Sequence, residues 1–238
     1  MATGKTKGIV LRKVDYSETS IIIQVLTPNE GVKGFIFQGA KRKKKKGNLV
    51  SSLALISIEY YQRNDSDLAK ISSIEPEVIY KSIPFDPYKS SIVFFMNEVL
   101  NNTLRDNEKN NELYNFLETI LQVLDLSDQI ANFPIKFLYR LTKYLGFFPH
   151  EVKDAVYLDL KECSYTKYEP NHGAYLSKRN SLLLLHFSGM NFDGKDDPEI
   201  DLKTRRDLVY DLLKYYHVIF ENFKPIQSLA VLEATFHD

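Results

Sequence analysis

Over its first eighty residues the chain alternates apolar and polar positions with a period near two, the mark of strands that bury one face. Five short runs rich in β-branched and aromatic residues stand out: Thr6–Val14, Ser20–Thr27, Val32–Gln38, Leu53–Gln62 and Leu68–Ile74. Turn formers such as Pro28-Asn29-Glu30-Gly31 and Asn64-Asp65 separate them. In the fourth run Ala54, Ile56, Ile58 and Tyr60 share one face, and Leu55, Ser57, Glu59 and Tyr61 share the other. Five strands with no crossover helix between them predict a closed antiparallel sheet, either a five-stranded OB-like barrel or an SH3-like one.

Beyond Tyr80 the period lengthens to three and four. Asp86-Pro87 forms a start signal for a helix carrying Ile92, Phe95, Met96, Val99 and Leu100 on one stripe. A second stripe runs from Leu113 to Leu124, and a third helix, started or kinked by Pro134, ends at Gly146. Residues 150–180 lose this period and read as a β-hairpin, Val156–Leu160 with Tyr165–Tyr168. A short helix near Ser181–Phe187 and an acidic loop, Asp193–Glu199, follow. Asp201 then caps a long helix that Lys224-Pro225 should end, and Ile226–Phe236 has helical spacing again. The chain is therefore expected to be α+β: an N-terminal β-barrel over 1–80, then a helical domain over 81–238 with a small β-hairpin insert at about 150–180.

Composition narrows the class. With 44% hydrophobic and 26% charged residues in 238, the sequence is too apolar for a disordered chain and too polar for a membrane bundle. Its apolar runs, such as Ile21–Ile23 and Leu182–Leu185, are far too short to span a bilayer. The first residues lack the apolar stretch of a secretory signal, and a lone cysteine, Cys163, excludes an internal disulfide framework, so a cytoplasmic protein is expected. The 31 basic and 31 acidic residues cancel, but not locally. Residues 1–50 hold eleven Lys/Arg against three acids, six of the cations being Lys41, Arg42, Lys43, Lys44, Lys45 and Lys46 in one run. Such a lobe concentrates polyanions, of which phosphate backbones are the commonest large kind.

Catalytic chemistry finds little support. Gly4-Lys5-Thr6 imitates the end of a phosphate-binding loop but lacks the preceding strand and upstream glycine. Cys163 and the scattered histidines His150, His172, His186, His217 and His237 do not make a zinc spacing. The acids Asp193, Asp196, Asp197 and Glu199 lack the calcium-loop pattern and read as a solvated loop. No catalytic residue, metal or cofactor is expected. What remains is basic residues interleaved with aromatics. Phe35, Phe37, Tyr60 and Tyr61 lie in segments flanked by Lys33, Lys41, Arg42 and Arg63, the chemistry of a stacking platform beside a phosphate-tracking groove, though alternation requires some of the rings to fill the barrel. Lys136, Arg140 and Lys143, four and three residues apart, share one helix face; beside Phe137, Phe147 and Phe148 that face suits an acidic peptide ending in an apolar residue.

Gly8-Ile9-Val10-Leu11-Arg12, Asp15-Tyr16-Ser17-Glu18-Thr19, Leu26-Thr27, Gly31 and Gly39-Ala40-Lys41-Arg42 follow one another in an order that resembles the bacterial DNA repair family RecO. The helix from Phe137 to Gly146-Phe147 and the C-terminal Ile226-Gln227-Ser228-Leu229 with Val231-Leu232 continue the resemblance. It implies an OB fold followed by a helical domain, and a recombination mediator that binds single- and double-stranded DNA, anneals complementary strands and helps RecA load. The implied partners are the acidic tail of single-stranded-DNA-binding protein (SSB), RecR and possibly RecF, with no membrane, in a nucleoid-associated setting. Lys41 and Arg42 would be phosphate contacts, with Arg12, Lys33 and Lys43–Lys46 beside them, and Lys136 would belong to the tail pocket. Many members of the family carry a four-cysteine zinc module where residues 150–176 lie; this chain has Cys163 alone, so no zinc is carried over. A non-catalytic interaction scaffold with an incidental basic loop is the alternative.

Overall fold

The computed structural model describes residues 2–41, 48–62, 68–106 and 108–235. They divide into two compact units, one of residues 1–85 with 99–125, the other of 86–98 with 126–238.

The first unit is built on five strands: β1 (Ala2–Asp15), β2 (Ile21–Thr27), β3 (Gly31–Phe37), β4 (Leu55–Gln62) and β5 (Ala69–Pro76). They close into a barrel in the order β1-β2-β3-β5-β4, with β4 returning to β1 and a short parallel contact between β3 and β5. This is the OB-like barrel the resemblance implies. β1 makes closure feasible by serving two neighbours. Its first half, Ala2–Ile9, pairs with β4, its second half pairs with β2, and a bulge between Val10 and Arg12 turns the strand from one to the other. Gly8 sits at this crossing, where an added β-carbon would stand 2.1 Å from Val25 Cγ1. Inside, Val10, Ile23, Val25, Phe35, Ile56, Ile58 and Ile74 form a closed core, with Ala54 and Tyr60 packed against it. The face assigned to Ala54, Ile56, Ile58 and Tyr60 by alternation is therefore the inner one.

Alongside the barrel the first unit contains the end of helix α1 (Pro87–Thr103) and helix α2 (Asn111–Leu126). Asn101 donates to the Leu11 carbonyl at 3.1 Å, close to the bulge. At the end of α2, the buried Asp125 carboxylate accepts the backbone N–H groups of Lys81, Ser82 and Ile83 at 2.8, 2.8 and 2.9 Å. Burial alone would raise its proton affinity; the three N–H donors and the Ser82 hydroxyl outweigh that and hold the carboxyl below its ordinary range. A carboxylate whose folded pKa lies below its unfolded value of about 3.9 stabilises fully above that value and loses the contribution as pH falls through the folded one. Unfolding midpoints in urea should therefore fall progressively as pH is lowered below about 5. Asp125→Asn should cost about 2 kcal/mol at pH 7 and flatten that drop, because the lost interaction is charge-assisted.

The second unit is helical. It holds the start of α1, then α3 (Phe133–Tyr144), α4 (Lys178–Phe187), α5 (Leu202–Ile219) and α6 (Leu229–Thr235), with a two-stranded hairpin of β6 (Tyr157–Asp159) and β7 (Ser164–Thr166). The expected start signals operate. Asp86 Oδ1 accepts from Tyr88 and Lys89 N–H, and Asp201 Oδ1 accepts from Thr204 N–H at 2.6 Å. Pro134 opens α3 rather than kinking it. At the other end Gly146, with φ +84°, lets Gly146 N–H reach the Lys143 carbonyl and Phe147 N–H the Thr142 carbonyl, a Schellman stop. The hairpin pairs Leu158 with Tyr165; β6 is shorter at both ends than its sequence suggested, and β7 starts one residue earlier and ends two residues earlier. α5 ends at Ile219, not at Lys224-Pro225. Phe220 takes an extended conformation, and its ring and that of Phe223 fold back onto Phe147 and Tyr216 at 5.6 and 5.5 Å. The same cluster holds two buried hydroxyls: Tyr215 donates to the Phe147 carbonyl and Tyr216 to the Leu138 carbonyl. Among the described residues no helix is long and apolar enough to cross a membrane, and no group of three or more His, Cys, Asp or Glu side chains is placed to hold a metal ion.

Candidate nucleic-acid interface

The pairing register fixes which side chains share the barrel's outer surface. Arg12 lies opposite Gln24, which lies opposite Gly34. One step along, Val14, Ile22, Ile36, Lys70 and Tyr61 follow each other across β1, β2, β3, β5 and β4. These positions form a shallow half-buried surface over β2 and β3, the face with which OB barrels take oligonucleotides. Arg12 and Lys13 are exposed on β1, and the Lys70 ammonium stands 5.6 Å from the centre of the Tyr61 ring.

The β1–β2 turn borders this surface. Tyr16 and Ser17 N–H groups both donate to the Ser20 carbonyl at 3.1 Å, and Ser17 Oγ accepts from Ser20 N–H. Lys41, the first residue of the basic run, is tied to the same turn. Its N–H reaches the Thr19 carbonyl at 3.3 Å, its Nζ the Ser17 carbonyl at 2.9 Å and the Asp15 carboxylate at 3.1 Å. Lys41 is therefore fixed at the β1–β2 turn, beside the β2–β3 face. Arg42, Lys43, Lys44, Lys45 and Lys46 lie outside the described residues, as does Arg63.

Lys33 is a correction. Expected among the phosphate contacts, it is instead 8% exposed and points into the barrel with Phe35 and Phe37. Its Nζ meets Glu30 Oε2 at 2.6 Å and the Tyr60 hydroxyl at 3.4 Å, and lies 4.5 Å from the centre of the Tyr60 ring. Tyr60 in turn donates to Glu30 Oε1 at 3.0 Å. Burial raises the proton affinity of Glu30, but the hydrogen bonds from Lys33 and Tyr60 outweigh it and the carboxyl is held low. A lysine inside a barrel is tolerable only when so partnered. Two signals in the sequence pointed to this arrangement: Lys33 shares the parity of Phe35 and Phe37, and Glu30 precedes it by three across a tight turn.

The basic face of α3 is also differently employed. Lys136 is 2% exposed; its Nζ binds Asp197 Oδ1 at 2.7 Å and the Asn191 carbonyl at 2.8 Å. Arg140 donates to the Ser188 carbonyl at 2.6 Å. Phe192 stands edge-on to Phe133 at 5.0 Å, Ser127 holds the Asp193 carbonyl, and Asn132 holds that of Pro198. The acidic loop, expected to be solvated, is thus a strap across α3, and Asp197 is nearly as buried as its partner. Lys143 alone of the three is exposed. Sequence reasoning singled out both members of this contact without joining them. Lys70 and Tyr16, at the barrel face or its rim, drew no attention as interface residues in the sequence because neither stands in a basic run.

Residues 1–80 match the family model described as "Recombination protein O N terminal", and residues 84–222 match "Recombination protein O C terminal". Proteins named "DNA repair protein RecO" from Flavobacterium johnsoniae and Flavobacterium psychrophilum are 31% and 30% identical, each alignment covering 98% of both chains. One from Bacteroides fragilis is 30% identical over the same share. Among solved structures, an asparaginyl-tRNA synthetase of Entamoeba histolytica aligns with 66% of this chain and 35% of its own at 12% identity and a TM-score of 0.27, too low to bear on the fold.

Proposed function

Because the chain belongs to the recombination protein O family and so to DNA repair and recombination, we propose that it is a non-enzymatic mediator that binds single- and double-stranded DNA and anneals complementary strands. The observation that carries this is the origin of the six-cation run at Lys41, bonded to the turn that borders the β2–β3 face, with Arg12 and Lys13 exposed nearby. Neutralising phosphates on two strands at once removes the repulsion that keeps them apart, and base pairing then supplies both the specificity and the driving force. Nothing in that scheme consumes a nucleotide. Arg12, Lys41, Arg42 and Lys43–Lys46 are the phosphate contacts; Lys33 supports the barrel from within.

The partners implied by the family belong to the same reading: the acidic SSB tail, RecR and possibly RecF, acting in the cytoplasm to hand SSB-coated DNA to RecA. An acidic tail ending in an apolar residue suits the α3 face chemically, since the strap already sets Phe192 and Asp197 there. A tail bound at Lys136 and Arg140 must displace residues 188–197, whereas Lys143 is open to it. Fluorescence anisotropy with labelled single strands and duplexes, in a salt series, tests the central claim. Binding should be present at low salt and fall log-linearly with salt concentration, and annealing should proceed without nucleotide. Absence of binding at about 50 mM salt would reject it.

A further inference from the structure

Four barrel aromatics were candidates for base stacking, and their placement leaves little room for that role. Phe35 and Phe37 are buried, Tyr60 is bonded to Glu30 beneath Lys33, and Tyr61 carries Lys70 over its ring. The most exposed large hydrophobic side chain of the barrel, among the described residues 2–76, is Tyr16 at 61%, followed by Val14 at 45%. We infer that Tyr16 is the stacking residue through which this barrel distinguishes unpaired from paired nucleic acid. The inference rests on the DNA-binding reading and refines it.

Three observations carry it. First, the ring is held out by a turn that is itself fixed: both Tyr16 and Ser17 N–H groups are bonded to Ser20, and the turn is bonded again to Lys41. An aromatic on a pre-ordered turn loses little freedom on contact with a base. Second, cations that can hold the backbone of the same strand lie close to it in the structure, Arg12 on the same face of β1 as Val14 and Lys41 bonded to the turn and paired with Asp15. Third, it extends the apolar part of the outer surface, following Val14, which pairs with Ile22 and through it Ile36. Phosphate contacts are open to single strands and duplexes alike, because both present a charged backbone. A ring face is not. Only a base released from its stack can lie on Tyr16, so this residue adds affinity for single strands and none for a blunt duplex.

Tyr16→Ala and Tyr16→Phe test this in anisotropy with a fluorescent single-stranded oligonucleotide and a blunt duplex, each titrated at several salt concentrations. Tyr16→Ala should weaken single-strand binding about ten-fold, leave duplex binding within two-fold, and leave the slope of log affinity against log salt unchanged, since no phosphate contact is removed. Tyr16→Phe should bind like wild type. Unchanged single-strand affinity in Tyr16→Ala, or an equal loss for both ligands, overturns the inference. If wild type itself binds neither ligand, the DNA-binding reading fails before this one is reached.

Discussion

Replacement of Lys41, Arg42 and Lys43–Lys46 by Gln should lower single-strand affinity by two to three orders of magnitude at about 50 mM salt and nearly abolish annealing. Each phosphate neutralised on a single strand contributes a slope near −0.7 to log affinity against log salt, because condensed counterions are released in proportion. If all six cations are engaged, the variant's slope should be shallower by about 4. The two readouts answer different questions. Loss of affinity alone could follow from a damaged barrel, whereas a shallower slope counts ionic contacts removed. An unchanged slope would mean that the run does not touch the backbone, and the phosphate contacts would then have to be sought at Arg12, Lys13 and Lys70. Duplex binding should fall with single-strand binding, since both rely on charge.

The second large effect is on stability. Lys136→Met should destabilise the helical unit by about 3 kcal/mol, read as a lower urea midpoint, because removing one member of a buried pair leaves the other charged and unpartnered. Here the abandoned groups are the Asp197 carboxylate, only 10% exposed, and the Asn191 carbonyl. Adding Asp197→Leu to Lys136→Met should recover most of the loss, as expected when an ion pair gives way to apolar packing beside Phe133 and Phe192. A Lys136→Met protein as stable as wild type would show that the strap is not held by this pair. The result also governs how peptide-binding experiments are read. Lys136→Glu, the obvious probe of a tail site, places a second carboxylate against Asp197 and releases the strap, so a binding change in that variant reports on the strap first. Lys143→Glu does not carry this complication.

The barrel was legible because period-two alternation is a direct consequence of one face being buried, and all five strands fall within a few residues of their expected places. What escaped was whatever depended on a distant partner. The first residues of β1 are polar or small, Ala2, Thr3, Gly4 and Lys5, and give no strand signal by themselves; they are extended because β4 pairs with them. Phe220 and Phe223 continue the apolar stripe of α5, so periodicity carried the helix too far, and only the position of Phe147 explains the break. The strap failed to register for the same reason: Asp197 and Lys136 are unremarkable charges until the fold brings them to 2.7 Å. Lys33 is the instructive case, since its parity was in view and the attraction of a basic residue near other basic residues prevailed over it.

The double duty of β1 has a consequence for the newly made chain. Its second half can pair with β2 as soon as that neighbour is made, but residues 2–8 have no ladder partner until their β4 partners, positions 56–62, have left the ribosome. For that interval the nascent protein exposes a bare strand edge, the element most prone to recruit a stray strand from another molecule. Lys5 and Lys7, solvent-facing on that edge, supply the like-charge repulsion that discourages such encounters until β4 arrives with Glu59 to meet Lys5.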